Sequence, residues 1–374
     1  MVQHAYRTVP YYTRMFNEYG IDPLSIKTQE DLTRLPVLTK EQIQEEPDKF
    51  ISSDYLYYPK NKDLIIKRTS GSIGKCLKIF WDKKDDIRSM FHLWLVRNKT
   101  YHIQPSARFC SFYTTQYREN KFIDAYEKEF FYGGRNLALS KIGINETSIP
   151  DYYVAMHEFQ PEWILIQPSI AYLLLSYISK NGLKLPDSLK YIEFTGEYLS
   201  ENDRKYFKDA FGITSANQYG SNETNGIAID CVNEKMHCMP NNVIVEVLQN
   251  ERNVIDGEEG ELYVTCLTNR AMPFIRYAIG DRGILHSRHN CPCGNKNPIL
   301  ILLKGRVGEL ITLPGGQKMN CYIFLYTIEK INESMGYPII QFQIIQDGVY
   351  DFTVNIVLKH SFEGWKESIS KFFI

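Results

Sequence analysis

Apolar residues recur at helical spacing over Lys84–Arg97, Ile149–Phe159, Ser169–Asn181 and Ser200–Phe211, each stretch long enough to bury one stripe. Between them lie apolar runs too short for helices, at Arg108–Tyr113, Trp163–Gln167 and Leu189–Thr195, which read as buried strands. Gly182 closes the third helix, and Thr39 is placed to cap a helix from Lys40. Leu64–Lys67 and Leu77–Trp81 read as strands flanking a glycine-rich turn. Such alternation predicts a mostly parallel sheet covered by helices, with ligands bound at the carboxyl ends of its strands.

From Asn242 the period changes. Val243–Leu248, Gly260–Leu267 and Gly283–His286 read as strands joined by turns, so a β-rich part is expected. Past Lys304 the chain reads as a hairpin at 314–316, a helix over Tyr322–Ser334, strands at Ile340–Ile345 and Phe352–Leu358, and a helix over Phe362–Phe373. The expected fold class is α/β. A large domain of helix-covered sheets occupies 1–304, β-rich from about 230, and a small α+β domain occupies 305–374.

A chain of 374 residues is too long for one simple core. Lysine and arginine (43) nearly balance aspartate and glutamate (44), which argues against a nucleic-acid or anionic-membrane surface. No run approaches the roughly 20 apolar residues of a membrane span, and the first residues carry no secretory core, so a cytoplasmic protein is expected. In that compartment grouped cysteines suggest metal before disulfides. Cys76, Cys110, Cys266 and Cys321 are scattered; Cys231, Cys238, Cys291 and Cys293 are grouped.

The first chemical signal is the turn Arg68-Thr69-Ser70-Gly71-Ser72-Ile73-Gly74-Lys75. Two glycines let successive N–H groups face one anion, and three hydroxyls and a lysine add donors and charge. A Walker loop, and with it a kinase-like phosphotransferase, is disfavoured: the spacing differs and a strand, not a helix, follows Lys75. A plain polar hairpin would use the same residues.

This turn resembles the phosphate loop of the adenylate-forming superfamily, and four further segments are similar to that family's motifs in the expected order. These are Thr195-Gly196-Glu197, Gln218-Tyr219-Gly220-Ser221-Asn222-Glu223-Thr224, Arg276-Tyr277-Ala278-Ile279-Gly280-Asp281 and Gly305-Arg306. Val9-Pro10-Tyr11-Tyr12 and Leu267–Tyr277 resemble the branch of phenylacetate–coenzyme A ligase and its capsular-polysaccharide homologues. The resemblance implies ATP-dependent activation of a carboxylic acid to an acyl-adenylate. Thr69, Ser70, Gly71, Ser72, Gly74 and Lys75 would hold the phosphates, and Glu223 would hold Mg²⁺. Gly196, Glu197, Gln218, Tyr219, Gly220 and Ser221 would line the nucleotide and acid pocket, with Ile166–Ser169, Phe194 and Asn217 on its acid side. Asp281 would accept the ribose hydroxyls and Arg306 would reach ribose or phosphate. Lys75, Glu223 and Arg306 are the catalytic candidates. The acceptor would be coenzyme A, a carrier protein or a sugar amine, and a homodimer is compatible with the reading.

Cys231 and His237 upstream of Cys291-Pro292-Cys293-Gly294 supply three thiolates and an imidazole, a closed set suited to structural zinc. The branch carries a similar set, which favours His237 over its neighbour Cys238 as the fourth ligand. Two departures stand out. No segment after Lys359 resembles the family's late lysine loop, so the small domain is expected to be incomplete relative to the family, and Val307-Gly308-Glu309 replaces the usual acidic pair after the hinge. A homologue that retains nucleotide and zinc but has weakened chemistry is therefore the alternative reading.

Overall fold

The computed structural model describes residues 1–56, 64–68, 77–113, 117–118, 121–122, 126–140, 144, 148–306, 310–312, 318–320, 328, 331, 335, 339–358 and 364–371. The chain divides into two compact units, Met1–Ile279 with Gly283–Leu302, and Gly280–Arg282 with Leu303–Ile374.

The helices of the first unit are α1 (Val2–Thr8), α2 (Pro10–Glu18), α3 (Lys40–Glu45), α4 (Ser53–Leu56), α5 (Lys83–Ser89), α6 (Phe91–Tyr101), α7 (Ile149–Phe159), α8 (Pro168–Lys180) and α9 (Glu201–Phe211). Strands β1 (Leu64–Arg68) and β2 (Lys78–Asp82) form an antiparallel hairpin, and β4 (Tyr117–Arg118) and β5 (Lys121–Phe122) a smaller one. Thirteen strands make the main sheet. In chain order they are β3 (Phe109–Tyr113), β6 (Lys128–Phe131), β7 (Asn136–Ser140), β8 (Trp163–Ile166), β9 (Tyr191–Thr195), β10 (Thr214–Ser221), β11 (Asn225–Asp230), β12 (Met236–Cys238), β13 (Val243–Gln249), β14 (Arg252–Asn253), β15 (Glu259–Cys266), β16 (Tyr277–His286) and β17 (Ile299–Arg306). Across the sheet the order is β14-β13-β15-β16-β17-β12-β11-β10-β9-β8-β3-β7-β6.

The parallel part runs from β7 through β3, β8 and β9 to β10. Its crossovers are α7, α8 and α9, as right-handed βαβ units require. These helices form where the apolar period predicts them, and Ser200 caps α9 in a capping box with Asp203. Thr39 does the same for α3 with Gln42. The direction reverses at β10–β11, and β11–β12–β17 continues antiparallel. Two main cores follow this division, one centred on Phe194, Phe207 and Tyr152, the other on Trp81, Phe274 and Tyr12.

The helix expected over Lys84–Arg97 is two helices. The Met90 N–H bonds the Ile87 carbonyl three residues back, tightening the last turn of α5, and α6 restarts beyond it. Strands β10 to β12 escape the pattern analysis because β10 is polar along its length and β12 has three residues. No helix among the described residues is long and apolar enough to cross a membrane.

The second unit carries antiparallel pairs β18 (Leu310–Thr312) with β19 (Lys318–Asn320) and β20 (Ile339–Gln346) with β21 (Phe352–Leu358), then a helix over Trp365–Ser370. Ile328, Ile331, Ile339 and Ile369 form its core. The turn at 314–316 and most of the helix expected over 322–334 fall outside the described residues.

Candidate active site and metal centre

Residues Thr69, Ser70, Gly71, Ser72, Gly74 and Lys75 lie outside the described residues, but the hairpin that carries them is anchored at both strands. From β1 the Lys67 ammonium donates to Asn225 Oδ1 (2.7 Å) and pairs with Asp86. From β2 the Trp81 indole N–H donates to the Asn222 carbonyl at 2.9 Å. Asn222 lies in the tight connection between β10 and β11, the turn that bears Glu223, and Asn225 follows it as the first residue of β11.

That turn is pinned from a third side. The Asn242 amide donates to the carbonyls of Thr224 (2.9 Å) and Gly226 (2.5 Å), and Thr268 holds the Asn242 oxygen at 2.8 Å. Glu223 is buried, and the Tyr277 hydroxyl donates to its Oε1 at 3.2 Å. Two motifs 54 residues apart thus meet at one carboxylate.

Gly220 sits where β10 bulges against β11, and a Cβ there would lie 2.4 Å from the Asn225 carbonyl oxygen and 2.6 Å from Gln218 Nε2. Only glycine fits. Gly220→Ala is expected to cost about 2 kcal/mol, the typical result of overpacking against backbone, and to lower the thermal midpoint measurably.

Next to it, Thr195 Oγ1 donates to Gln218 Oε1 across β9 and β10 at 2.8 Å. Gly196 follows with φ +79°, a left-handed turn that suits glycine. The turn brings Glu197 onto the amino end of α8, where its two oxygens accept from the Ser169 N–H (2.9 Å) and hydroxyl (2.7 Å). Tyr219 is half-buried against the second core. Asp281 lies on β16 four residues beyond Tyr277, and Arg306 ends β17; both belong to the second unit.

Arg276, which opens the same motif, is structural. Its guanidinium is buried with Glu246 at 3.1 Å and donates to the Leu35 carbonyl. Its own carbonyl accepts from Leu38 N–H at 2.9 Å. The N-terminal segment is held here as well: the Tyr12 hydroxyl donates to the Pro273 carbonyl and accepts from the Ile275 N–H, both at 3.0 Å. Val9–Tyr12 and Leu267–Tyr277, far apart in sequence, are packing partners.

The sulfurs of Cys231, Cys291 and Cys293 and a ring nitrogen of His237 all lie within 4.8 Å of one another. A tetrahedral zinc with sulfur at ~2.3 Å and nitrogen at ~2.0 Å would set neighbouring sulfurs about 3.8 Å apart and a sulfur and nitrogen about 3.5 Å apart. Cys231 Sγ is 3.8 Å from Cys291 Sγ, and Cys293 Sγ is 3.4 Å from His237 Nε2. His237 Nδ1 meets the Asn297 carbonyl at 2.9 Å, which orients the imidazole and leaves Nε2 for the cluster. The donor set fits the ion. Cys238 is the next residue on β12 and points to the opposite face, into the second core, where burial pushes its thiol up to about 12.

No protein-family profile matches the sequence. The chain is 26% identical over 330 residues to the phenylacetate–coenzyme A ligase of Thermus thermophilus, covering 84% of this chain and 70% of that one. It is 25% identical over 295 residues to the Escherichia coli ligase of the same name, covering 75% of this chain and 63% of that one. This chain resembles the adenylate-forming ligases of the phenylacetate–coenzyme A ligase-like branch. A 2-hydroxyisobutyryl-CoA ligase, solved with 2-HIB-AMP and CoA, shares the adenylate-forming fold with a TM-score of 0.65 at 18% identity, covering all of this chain and 85% of that one. Against an adenylate-forming fold, the hairpin anchors at Lys67 and Trp81 are the site features that motif reading missed. Their partners lie 158 and 141 residues away, and neither residue type carries a signal of its own.

Proposed function

We propose that this chain activates a carboxylic acid with ATP, forming an acyl-adenylate and releasing pyrophosphate, and then passes the acyl group to a thiol or amine. The single observation supporting this most directly is the hydrogen bond from Tyr277 to Glu223, which joins the two motifs expected at the nucleotide. In this reading Thr69, Ser70, Ser72 and Lys75 hold the β- and γ-phosphates, and Asp281 and Arg306 take the ribose and α-phosphate. Glu223 offers a buried carboxylate oxygen suited to Mg²⁺, which when bound neutralises charge on the phosphates. The acid carboxylate attacks the α-phosphorus in line, and catalysis is chiefly positioning and charge neutralisation.

The curated relatives favour coenzyme A as acceptor and an aryl acid as the first substrate to try. A carrier protein or sugar amine is the alternative acceptor. Residues 305–374 are proposed to be the family's small domain, and Cys231, His237, Cys291 and Cys293 to hold a structural zinc that takes no part in the chemistry.

ATP–pyrophosphate exchange across a panel of carboxylic acids that includes phenylacetate tests the reading; exchange with none of them overturns it. Glu223→Gln is expected to cut exchange about 10²–10³-fold, the usual cost of removing one preorganised charge-stabilising group. Its thermal midpoint should stay close to that of the wild type.

A further inference from the structure

We infer that Lys67, outside every motif that suggested the nucleotide site, is a positioning residue that locks the Glu223 turn to the β1–β2 hairpin; this rests on the proposed nucleotide site. Its side chain is 23% exposed, and its ammonium sits at the centre of a polar knot. It pairs with Asp86 of α5, donates to Asn225 Oδ1 at 2.7 Å, and lies 5.3 Å from the centre of the Trp81 ring. The Asn225 amide nitrogen completes the knot by donating to Asp86 Oδ1 at 3.0 Å and to Ser89 Oγ at 2.5 Å. Two of the ammonium's three N–H groups are taken by Asp86 and Asn225, which ties Lys67 to the protein's own turn.

The knot joins three elements that no local interaction would hold together. Lys67 belongs to β1, Asp86 and Ser89 to α5, and Asn225 ends the turn that carries Glu223. Asn225 has φ +60°, a left-handed conformation uncommon for a side-chain-bearing residue but one asparagine tolerates better than most. Its position fixes where the chain re-enters β11, and so where Glu223 points. The Trp81–Asn222 bond ties the other strand of the hairpin to the same turn. A part-buried cation shared by two oxygens is a strong, directional tie, because bonds to charged groups exceed neutral ones. Removing it loosens the register of the turn against the hairpin, with the Trp81–Asn222 bond still in place, while leaving both folded. The consequence is confined to whatever needs hairpin and Glu223 in register, namely the triphosphate and its metal, and spares the adenosine end.

Calorimetric titration with MgATP and, separately, with AMP tests this on the full chain. Lys67→Met is expected to weaken MgATP binding about tenfold, the size expected for losing one charged hydrogen bond, and to change AMP binding less than about twofold. Asn225→Gly, which keeps the left-handed backbone, should do the same. The Lys67→Met/Asn225→Gly pair should be no worse than either single change, the mark of residues that act through one tie. Lys67→Arg should recover most of the loss. Equal weakening of MgATP and AMP, or additive losses in the pair, would make Lys67 merely structural and overturn the inference. Wild-type affinity for MgATP in Lys67→Met would do the same while leaving the ligase reading intact. Tight MgATP binding without exchange on any acid would remove the ligase reading and leave Lys67 its role. A wild-type chain that binds neither nucleotide would end both.

Discussion

Arg97→Met is expected to destabilise the first unit by about 3–5 kcal/mol, the cost of stranding one half of a buried ion pair. The guanidinium of Arg97, on α6, makes two parallel bonds to Glu193 on β9, Nη2 to Oε1 at 2.6 Å and Nε to Oε2 at 2.9 Å. Neither residue reaches solvent: Arg97 is 3% exposed and Glu193 not at all. The rings of Trp94 and Trp163 lie 4.8 and 4.7 Å from the guanidinium carbon and exclude water from it. Tyr191 donates a further bond to Glu193 Oε2 at 3.0 Å. A carboxylate left in that place without its cation has no route to hydration, so it must either take a proton or drag the strand open. Chemical denaturation of Arg97→Met against wild type measures the loss. Arg97→Met/Glu193→Met should recover most of it, because a buried pair replaced by apolar groups of similar size is often neutral. A single variant as stable as the wild type would show that water reaches the pair.

Such a pair is invisible in the sequence. Arg97 and Glu193 stand 96 residues apart, and a lone arginine at the end of a helical period reads as a solvated residue. What the period does reveal is the helix–strand alternation of 149–211, because one face of each helix is apolar; where a side chain caps a helix, as Ser200 with Asp203 and, in α3, Thr39 with Gln42, the cap is local. The metal set is legible for a similar reason. Cys291 and Cys293 flank one proline, and a close pair of thiols in such a chain has few other uses. The choice between His237 and Cys238 is different in kind, since it depends on which face of β12 looks at the cluster. Strand β10 is hidden because its residues serve the site: Asn217, Gln218 and Gly220 are polar or lack a side chain, and burial alternation is absent. Gly220 is called for by a backbone oxygen brought in from Asn225, a contact that exists only once β10 and β11 have paired.

Stripping metal is expected to have the widest effect on the fold. Purified protein should contain about one zinc per chain, and Cys291→Ser or a strong chelator should remove it. The reason lies in where the cluster sits. Strand β12 has three residues and lies in the sheet between β11 and β17, with His237 opposite Ile299. All contact within the sheet between the parallel part and the antiparallel strands β17, β16 and β15 runs through that short strand. Among the described residues, the buried apolar cluster at this site is small, Ile299 with the cysteines themselves. A metal bound by Cys231, His237, Cys291 and Cys293 ties the ends of β11 and β12 to the segment before β17, supplying what so little apolar surface cannot. A chelator has access, because Cys293 is partly exposed and, with Cys231 and His237, borders a cavity of about 340 Å³ beside α6. On metal loss, hydrogen exchange should rise first over 231–238 and 287–299, while α8 and β9 keep their protection in a core of their own. The thermal midpoint should fall by several degrees and return when zinc is added back. Protein that carries no zinc, resists chelation and keeps these amides protected would leave the four side chains as reduced thiols and a buried histidine with no ion to bind.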